Sequence, residues 1–436
     1  MAAAKEKLVI TGMGAVTPIG CGVDKYWNSL VEGRCGIDRI SRFDAENLAV
    51  KIAAEVRDFD VESYMPRKMI HETDAFTQYA YAAAKEAIGE ALPAASERVG
   101  IVMGTAMAGV ATTAETQEIL TNAVHKNVGP RFVPRILGNI AAAQIAISYG
   151  ISGPSSTIST ACASGCDAVS MAAMMLRAGE ADAVVAVGSE SILCPLVIYS
   201  LANAHTLSRS NDDPLHACRP FDMERNGFVI GEGGGALVIE TESHALARGA
   251  EIYAELAGWA NNNDAHHVTD PDPEGRKAAQ CIASSIRRAG LTPADVDHIN
   301  AHGTGTKLGD SAELAAIGAV FGKRDGCPDG EMTDPDTGQR GEPYSCKTPS
   351  SAGPTISSTK GATGHIMGGG GLTESIACIK AINTGVVPPT LNLEDPEGDF
   401  DFVAGESRRQ QVKVAINTAF GFGGQNASLV FRRYEG

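Results

Sequence analysis

Short, almost wholly apolar runs alternate with amphipathic or Ala-rich stretches along nearly the whole chain. Residues 7–10 form the first such run, stopped by Thr11-Gly12-Met13-Gly14. Residues 99–103 and 183–187 are apolar throughout and too short for helices, as strands buried on both faces are. Helical spacing and good helix formers fill 75–92, 140–147 and about 162–178, with Gly150 and Gly179 as C-terminal stops. A strand-like segment at 157–160 leads into the third of these. The second half repeats the style, with strands expected at 252–258, 296–300, 355–358 and 412–417. Helices are expected at 276–289, 310–321 and 372–383, Asp310 having the chemistry of an N-cap. Glycines at 421–424 then punctuate a return strand at 427–431. The pattern predicts an α/β protein with a mainly parallel or mixed sheet between helix layers. Residues 323–350, rich in Gly, Pro, Asp and Lys, read as a surface insertion.

Composition narrows the class. A hydrophobic content of 44 % allows a large core, but aromatics are only 5 % and glycines number 49. Such a core is built from Ala, Val, Ile and Met, and its elements approach closely. A net charge of −16 argues against a general nucleic-acid binder, though it leaves room for local basic patches. Ten cysteines include no CxxC pair, so mostly free, buried thiols in a reducing compartment are expected, without a metal site. No apolar segment reaches the length of a signal peptide or a membrane span, which fits a cytoplasmic protein.

Four motifs carry candidate chemistry, and both halves place one where a strand gives way to a helix. This suggests an old duplication despite little letter-by-letter identity. In Thr160-Ala161-Cys162-Ala163-Ser164-Gly165-Cys166, Cys162 falls at or near a helix N-terminus. There the macrodipole stabilises a thiolate and small neighbours leave room for an acyl group. A buried structural cysteine reads equally well locally, and Cys166, one turn on, reads as core. In Asn300-Ala301-His302-Gly303-Thr304-Gly305-Thr306, a histidine and two hydroxyls sit among glycines. Ser358-Thr359-Lys360-Gly361-Ala362-Thr363-Gly364-His365 brings a lysine and a second histidine to a glycine-rich helix entry. It lacks the glycine–lysine order of a phosphate loop. Glu374 follows on the helix and can pair with Lys360, a surface ion pair being the plainer reading. Phe420-Gly421-Phe422-Gly423-Gly424 frees a backbone N–H to complete an oxyanion hole with that of Cys162, or is simply a hairpin turn.

Together these motifs resemble the elongating β-ketoacyl-acyl carrier protein synthases, especially those of type II. The similarity extends over essentially the whole chain. It takes in the segment from Thr11 to Pro18, Arg219-Pro220-Phe221-Asp222, and the segment from Gly227 to Gly233. The resemblance implies a thiolase-like fold: two similar halves, each a mixed five-stranded sheet layered between helices, paired as a homodimer. Residues 1–250 would carry the nucleophile, and residues 251–436 the two histidines. Cys162 would take an acyl chain from an acyl carrier protein. His302 and His365 would bind the thioester carbonyl of malonyl-acyl carrier protein and assist its decarboxylation. The resulting carbanion then attacks the acyl-Cys162 carbonyl.

The same resemblance assigns supporting roles. Lys360 would order the site with Glu374 as its partner, and Thr304 and Thr306 would hold the phosphopantetheine arm. Phe422 would gate the nucleophile beside Phe420, with Asp264 and His267 bracing a loop nearby. Met107 would line and limit the acyl pocket. No cofactor is implied beyond the carrier's own phosphopantetheine. Because the carrier is acidic, docking needs local cations; Arg67, Lys68, Lys126, Arg131 and Arg209 are the candidates. A ketosynthase of a polyketide or specialised lipid pathway would share the fold and chemistry. A non-catalytic chain-length factor would share the fold alone, and Cys162 argues against it.

Overall fold

The computed structural model describes residues 6–89, 97–122, 128–322 and 353–436. The segment 323–350 and Lys126 lie outside them. Ten strands form the framework: β1 (Leu8–Thr17), β2 (Val99–Gly104), β3 (Ser155–Ile158), β4 (Ala183–Glu190), β5 (Gly233–Thr241), β6 (Ala254–Asn263), β7 (His298–Asn300), β8 (Thr355–Ser357), β9 (Val414–Gly421) and β10 (Gln425–Arg432). The helices that matter for the site are α1 (Ala75–Ile88), α2 (Asn139–Tyr149), α3 (Ser164–Arg177), α4 (Arg276–Arg288), α5 (Lys307–Phe321), α6 (Lys360–Thr363) and α7 (Gly370–Thr384).

The strand order runs β3-β2-β4-β5-β1 in the first half and β8-β7-β9-β10-β6 in the second. Numbered within each half, both orders are 3-2-4-5-1. The senses match as well. β2 lies parallel to β3 and β4, while β5 runs antiparallel to β4 and β1. β7 likewise lies parallel to β8 and β9, while β10 runs antiparallel to β9 and β6. The sheets meet at their edges through two residue pairs, Val9 with Glu255 and Ile10 with Ala254.

Side-chain alternation builds the layers. Leu237 and Ile239 of β5 face a central core with Cys166, Val169 and Ala173 of α3 and Leu372, Ile376 and Ile379 of α7. Ala236 and Val238 face the other way, onto Phe76, Ala80 and Ala83 of α1 and Ile145 of α2. In the second half Ile416 and Val430 turn outward onto Ile282 and Ile286 of α4 and Leu314 and Ile317 of α5. Small residues permit this stacking. An added Cβ on Gly12 or Gly14 would lie 2.0 Å from the Ala87 or Ala83 carbonyl oxygen of α1. The layering puts α3 and α7 back to back, so the turns that lead into them share one space.

Local differences from expectation have physical causes. The helix expected at 75–92 stops at Ile88, where Gly89 turns to positive φ. The helix expected from Asp310 begins at Lys307 with Thr306 as its N-cap residue. Asp310 is buried within it, and its carboxylate reaches back to accept the N–H groups of Phe221, Thr304 and Gly305. Its carboxylate thus serves the loop ahead of the helix. Strand β6 starts two residues later than expected and runs on to Asn263, because β10 continues to pair with it.

Candidate active site

Three strand ends deliver the site. β3 ends just before Cys162, β7 just before His302, and β8 leads through α6 to His365. Helix α3 begins at Ser164, so Cys162 occupies the turn ahead of it. That turn is tight: Ala161 has φ of 50°, and the Ser164 hydroxyl accepts the Thr160 N–H at 2.9 Å while donating to the Ala161 carbonyl at 2.6 Å. Left-handed backbone at a residue with a side chain is a strained arrangement held by its surroundings. Met367, whose Sδ lies 3.9 Å from Cys162 Sγ, also has positive φ.

The sulfur and one nitrogen from each imidazole lie within 4.8 Å of one another. The two rings stand edge to face with centroids 5.2 Å apart. His365 Nδ1 and Nε2 and His302 Nδ1 are buried without partners among the described residues. Buried polar atoms rarely remain so, and both histidines line a cavity of about 800 Å³. The cavity is lined by Cys162, His302 and His365 together with exposed Lys307 and Leu308, so it connects the thiol with solvent. The same three side chains have the donor set of a soft metal site. The nearby Lys360 ammonium, whose charge already disfavours protonation of both rings, opposes a cation there.

Electrostatics set the protonation states. Burial, then the Lys360 charge, holds His302 and His365 well below the ordinary imidazole range, so both are neutral. Each neutral ring offers one N–H donor and one lone pair. Burial pushes the Cys162 thiol up to about 11; the Lys360 charge and the N–H groups of Phe422 and Cys162 pull the other way. The macrodipole effect expected from the sequence does not dominate, because desolvation of the thiolate outweighs it. Lys360 is 1 % exposed and donates to Glu374 at 2.5 Å, so this ion pair is buried and not the surface pair its spacing suggested.

Carboxylates that sequence reading missed hold the backbone beneath these groups. Glu313 of α5 accepts the N–H of His302 and of Gly303, each at 2.7 Å, and the Thr418 hydroxyl at 2.9 Å. Asp310, one turn earlier, takes the next two N–H groups, those of Thr304 and Gly305. Four consecutive amides are thereby fixed by one helix face. Burial pushes Asp310 to about 6 and Glu313 to about 7. Glu190 plays a comparable part at the end of β4. The i, i+3 spacing of Asp310 and Glu313 behind the His-Gly-Thr-Gly turn was the available signal; Glu190 offered none.

The remaining expected residues separate into those inside the cavity and those outside. Thr304 and Thr306 line it with their hydroxyls 3.0 Å apart, and Phe420 lies against His302 with ring centroids 6.0 Å apart. Phe422, 39 % exposed, and Met107, 46 % exposed, also line it. Gly421 permits the approach of the Phe422 turn, since a Cβ there would lie 2.8 Å from the Thr160 oxygen and 3.1 Å from the Cys162 nitrogen. Asp264 braces that turn: it accepts from Asn426 at 2.6 Å and its N–H donates to the Gly424 carbonyl at 2.8 Å. His267 is exposed and faces its own loop, its Nδ1 accepting from Asp270 N–H at 3.1 Å; the adjoining Val268 carbonyl accepts the Gly423 N–H. Cys166 is core, with its sulfur accepting from Asn417. Arg67 pairs with Glu62 and Arg131 with Glu72, which offsets both charges, while Lys68 and Arg209 are exposed.

Comparison with known proteins agrees with this geometry. Residues 5–245 match the β-ketoacyl synthase N-terminal domain, and residues 253–330 and 344–394 match its C-terminal domain. The chain is 40 % identical to 3-oxoacyl-[acyl-carrier-protein] synthase 2 of Synechocystis sp., covering 99 % of both chains. It is 38 % identical to the protein of the same name from Coxiella burnetii, over 98 % of this chain and 99 % of that one. Among solved structures it superposes on a β-ketoacyl synthase from Burkholderia phymatum with a TM-score of 0.86 and 29 % identity, over 99 % of this chain and all of the other. A type II polyketide ketosynthase captured with its acyl carrier protein gives a TM-score of 0.83 at 30 % identity, with the same coverage. A strained cysteine turn facing two neutral histidines, on a twice-repeated sheet that matches these proteins from end to end, places the chain in the β-ketoacyl synthase family.

Proposed function

We infer that the protein is a 3-oxoacyl-acyl carrier protein synthase of the elongating type, acting in fatty acid elongation. It transfers an acyl group to Cys162 and condenses it with malonyl-acyl carrier protein under loss of carbon dioxide. The observation that carries this reading is the unpartnered imidazole pair within reach of the Cys162 sulfur in a cavity open to solvent. A relative 40 % identical bears the name of this activity.

The chemistry follows from the protonation states. A thiol with a pKa near 11 is protonated at neutral pH, so attack on a thioester needs a base. A neutral imidazole supplies the lone pair. As Sγ bonds to the acyl carbonyl carbon, the oxygen takes up negative charge between the N–H groups of Phe422 and Cys162. The phosphopantetheine thiol then leaves with the proton. Malonyl thioester binds next, with its carbonyl oxygen toward the two imidazoles. Cleavage of its C–C bond releases carbon dioxide and places charge on that oxygen, where fixed N–H donors in a site shielded from water stabilise it. The α-carbon attacks the acyl-Cys162 carbonyl, and collapse of the tetrahedral adduct returns the thiolate. These steps require no cofactor of the protein's own. The Thr304 and Thr306 hydroxyls hold the amides of the pantetheine arm.

Two further assignments belong to this reading. The carrier docks beside the cavity opening, where exposed Lys307 supplies positive charge in an otherwise acidic protein, with exposed Arg209 a further candidate. A solved relative was captured with its acyl carrier protein. The protein pairs as a homodimer through the edge of β3, whose outer side no other strand covers among the described residues and near which Met107, Val133 and Leu137 are exposed; light scattering tests this. Among the described residues no helix is long and apolar enough to cross a membrane, which suits a cytoplasmic enzyme. Mass spectrometry after mixing with acyl-acyl carrier protein tests the central claim. An acyl adduct on Cys162 that malonyl-acyl carrier protein discharges as a β-ketoacyl product supports it, and the absence of any adduct defeats it.

A further inference from the structure

Glu190 is the last residue of β4, wholly buried, and no lysine, arginine or histidine among the described residues pairs with it. Its carboxylate is satisfied by dipoles from two separate segments. Oε2 accepts the Ala106 N–H at 2.6 Å and the Gly368 N–H at 3.2 Å. Oε1 accepts the Met107 N–H at 3.1 Å and the Thr105 hydroxyl at 3.1 Å. Burial pushes its pKa to about 7. The first segment forms cavity wall at Ala106 and Met107; the second follows His365 and Met367, which also line the cavity.

The contact between the two segments leaves no slack. A Cβ on Gly368 would lie 2.7 Å from the Ala106 nitrogen and 2.8 Å from Glu190 Oε2. The Met107 side chain is half exposed in the single chain, and its backbone N–H is held by Glu190. The duplicated fold supplies a parallel. The turn after β7 has its N–H groups taken by Glu313, and that turn presents His302. The turn after β2 occupies the equivalent place in the first half. Its N–H groups are taken by Glu190, and that turn presents Met107.

We propose that Glu190 is a positioning residue that sets acyl-length preference, by fixing the Met107 wall of the cavity against the Met367 and Gly368 turn. The proposal rests on the condensing activity inferred above. Replacing the carboxylate by an amide sets an NH2 donor against N–H donors, and the wall shifts. A long chain that reaches the wall senses this; a short one does not.

The test uses the full-length protein with hexanoyl- and tetradecanoyl-acyl carrier protein, measuring kcat/KM for each. Glu190→Gln is expected to change the ratio of the two by about fivefold or more. Gly368→Ala is expected to change the ratio in the same direction. In a Met107→Ala background Glu190→Gln is expected to add no further change, since coupled residues are not additive. Equal loss on both substrates, or full additivity with Met107→Ala, overturns the proposal. Should Glu190→Gln not fold, Gly368→Ala decides by the same ratio, because it forces the segments apart with the carboxylate retained. If wild type forms no adduct on Cys162, the inferred activity fails instead, and the two failures are distinct.

Discussion

The two halves share a strand order and strand senses, yet they carry different equipment at matching positions. After its second strand the first half presents Met107 and the second half His302. After the third strand the first half presents Cys162, and the second Lys360 and His365. After the fourth, the first half has Glu190 and a long connection, while the second turns at once through Phe422 into β10. In the proposed function one half thus supplies the nucleophile and acyl wall, the other the charge stabilisers and the gate. A duplicated scaffold brings its own strand ends together, because α3 and α7 stack at the shared centre. Neither half alone holds a complete site.

The sharpest break in this comparison removes the group unique to the first half. Cys162→Ser is expected to lower condensation by about 10⁴-fold or more, since the acyl intermediate is lost; product formation and the protein mass report it. Next come the groups unique to the second half. His302→Ala or His365→Ala is expected to cost about 10²–10³-fold in malonyl decarboxylation, by analogy with loss of an oxyanion donor. A discharge assay reads this, while a Cys162 acyl adduct still forms from acyl-acyl carrier protein. An effect confined to the acylation step would place the histidines wrongly.

Protonation gives a third test. The thiol pKa lies near 11, above the unperturbed value, so its thiolate fraction rises with pH through the neutral range. Alkylation of Cys162 by iodoacetamide is expected to quicken about tenfold per pH unit from 7 to 9 with no plateau. A plateau at or below neutral pH would mean that the macrodipole and Lys360 outweigh burial. Gly421→Ala probes the seam between halves. The added methyl meets the Thr160 oxygen and Cys162 nitrogen, and is expected to cost ~1–3 kcal/mol of stability, read by denaturant midpoint. Acylation should slow as the Phe422 N–H is displaced. The smallest effect sharpens the comparison most narrowly: Met107→Ala is expected to shift acyl-length preference by about fivefold, as Glu190→Gln does, read from product lengths.

Much of this was legible along the chain. The apolar runs that became β2 and β4 are buried on both faces, and the glycines at 150 and 179 close their helices, because backbone sterics act locally. The motifs holding Cys162, His302, His365 and Lys360 stood out because reactive side chains beside glycines are conspicuous wherever they fold. The sequence by itself determined which residues are candidates for the chemistry and that two α/β halves repeat. Tertiary structure alone decided how those residues behave. The burial that raises the Cys162 thiol and neutralises both imidazoles comes from separate segments, with Ile192, Phe228 and Met367 in the cluster around the sulfur and Phe228 and Phe420 against the rings. Glu190 became a clamp only when the fold aimed amides from two distant turns at it, whereas Asp310 and Glu313 hold the turn just ahead of their own helix. Desolvation and hydrogen-bond direction depend on neighbours hundreds of residues away, and no local pattern encodes them.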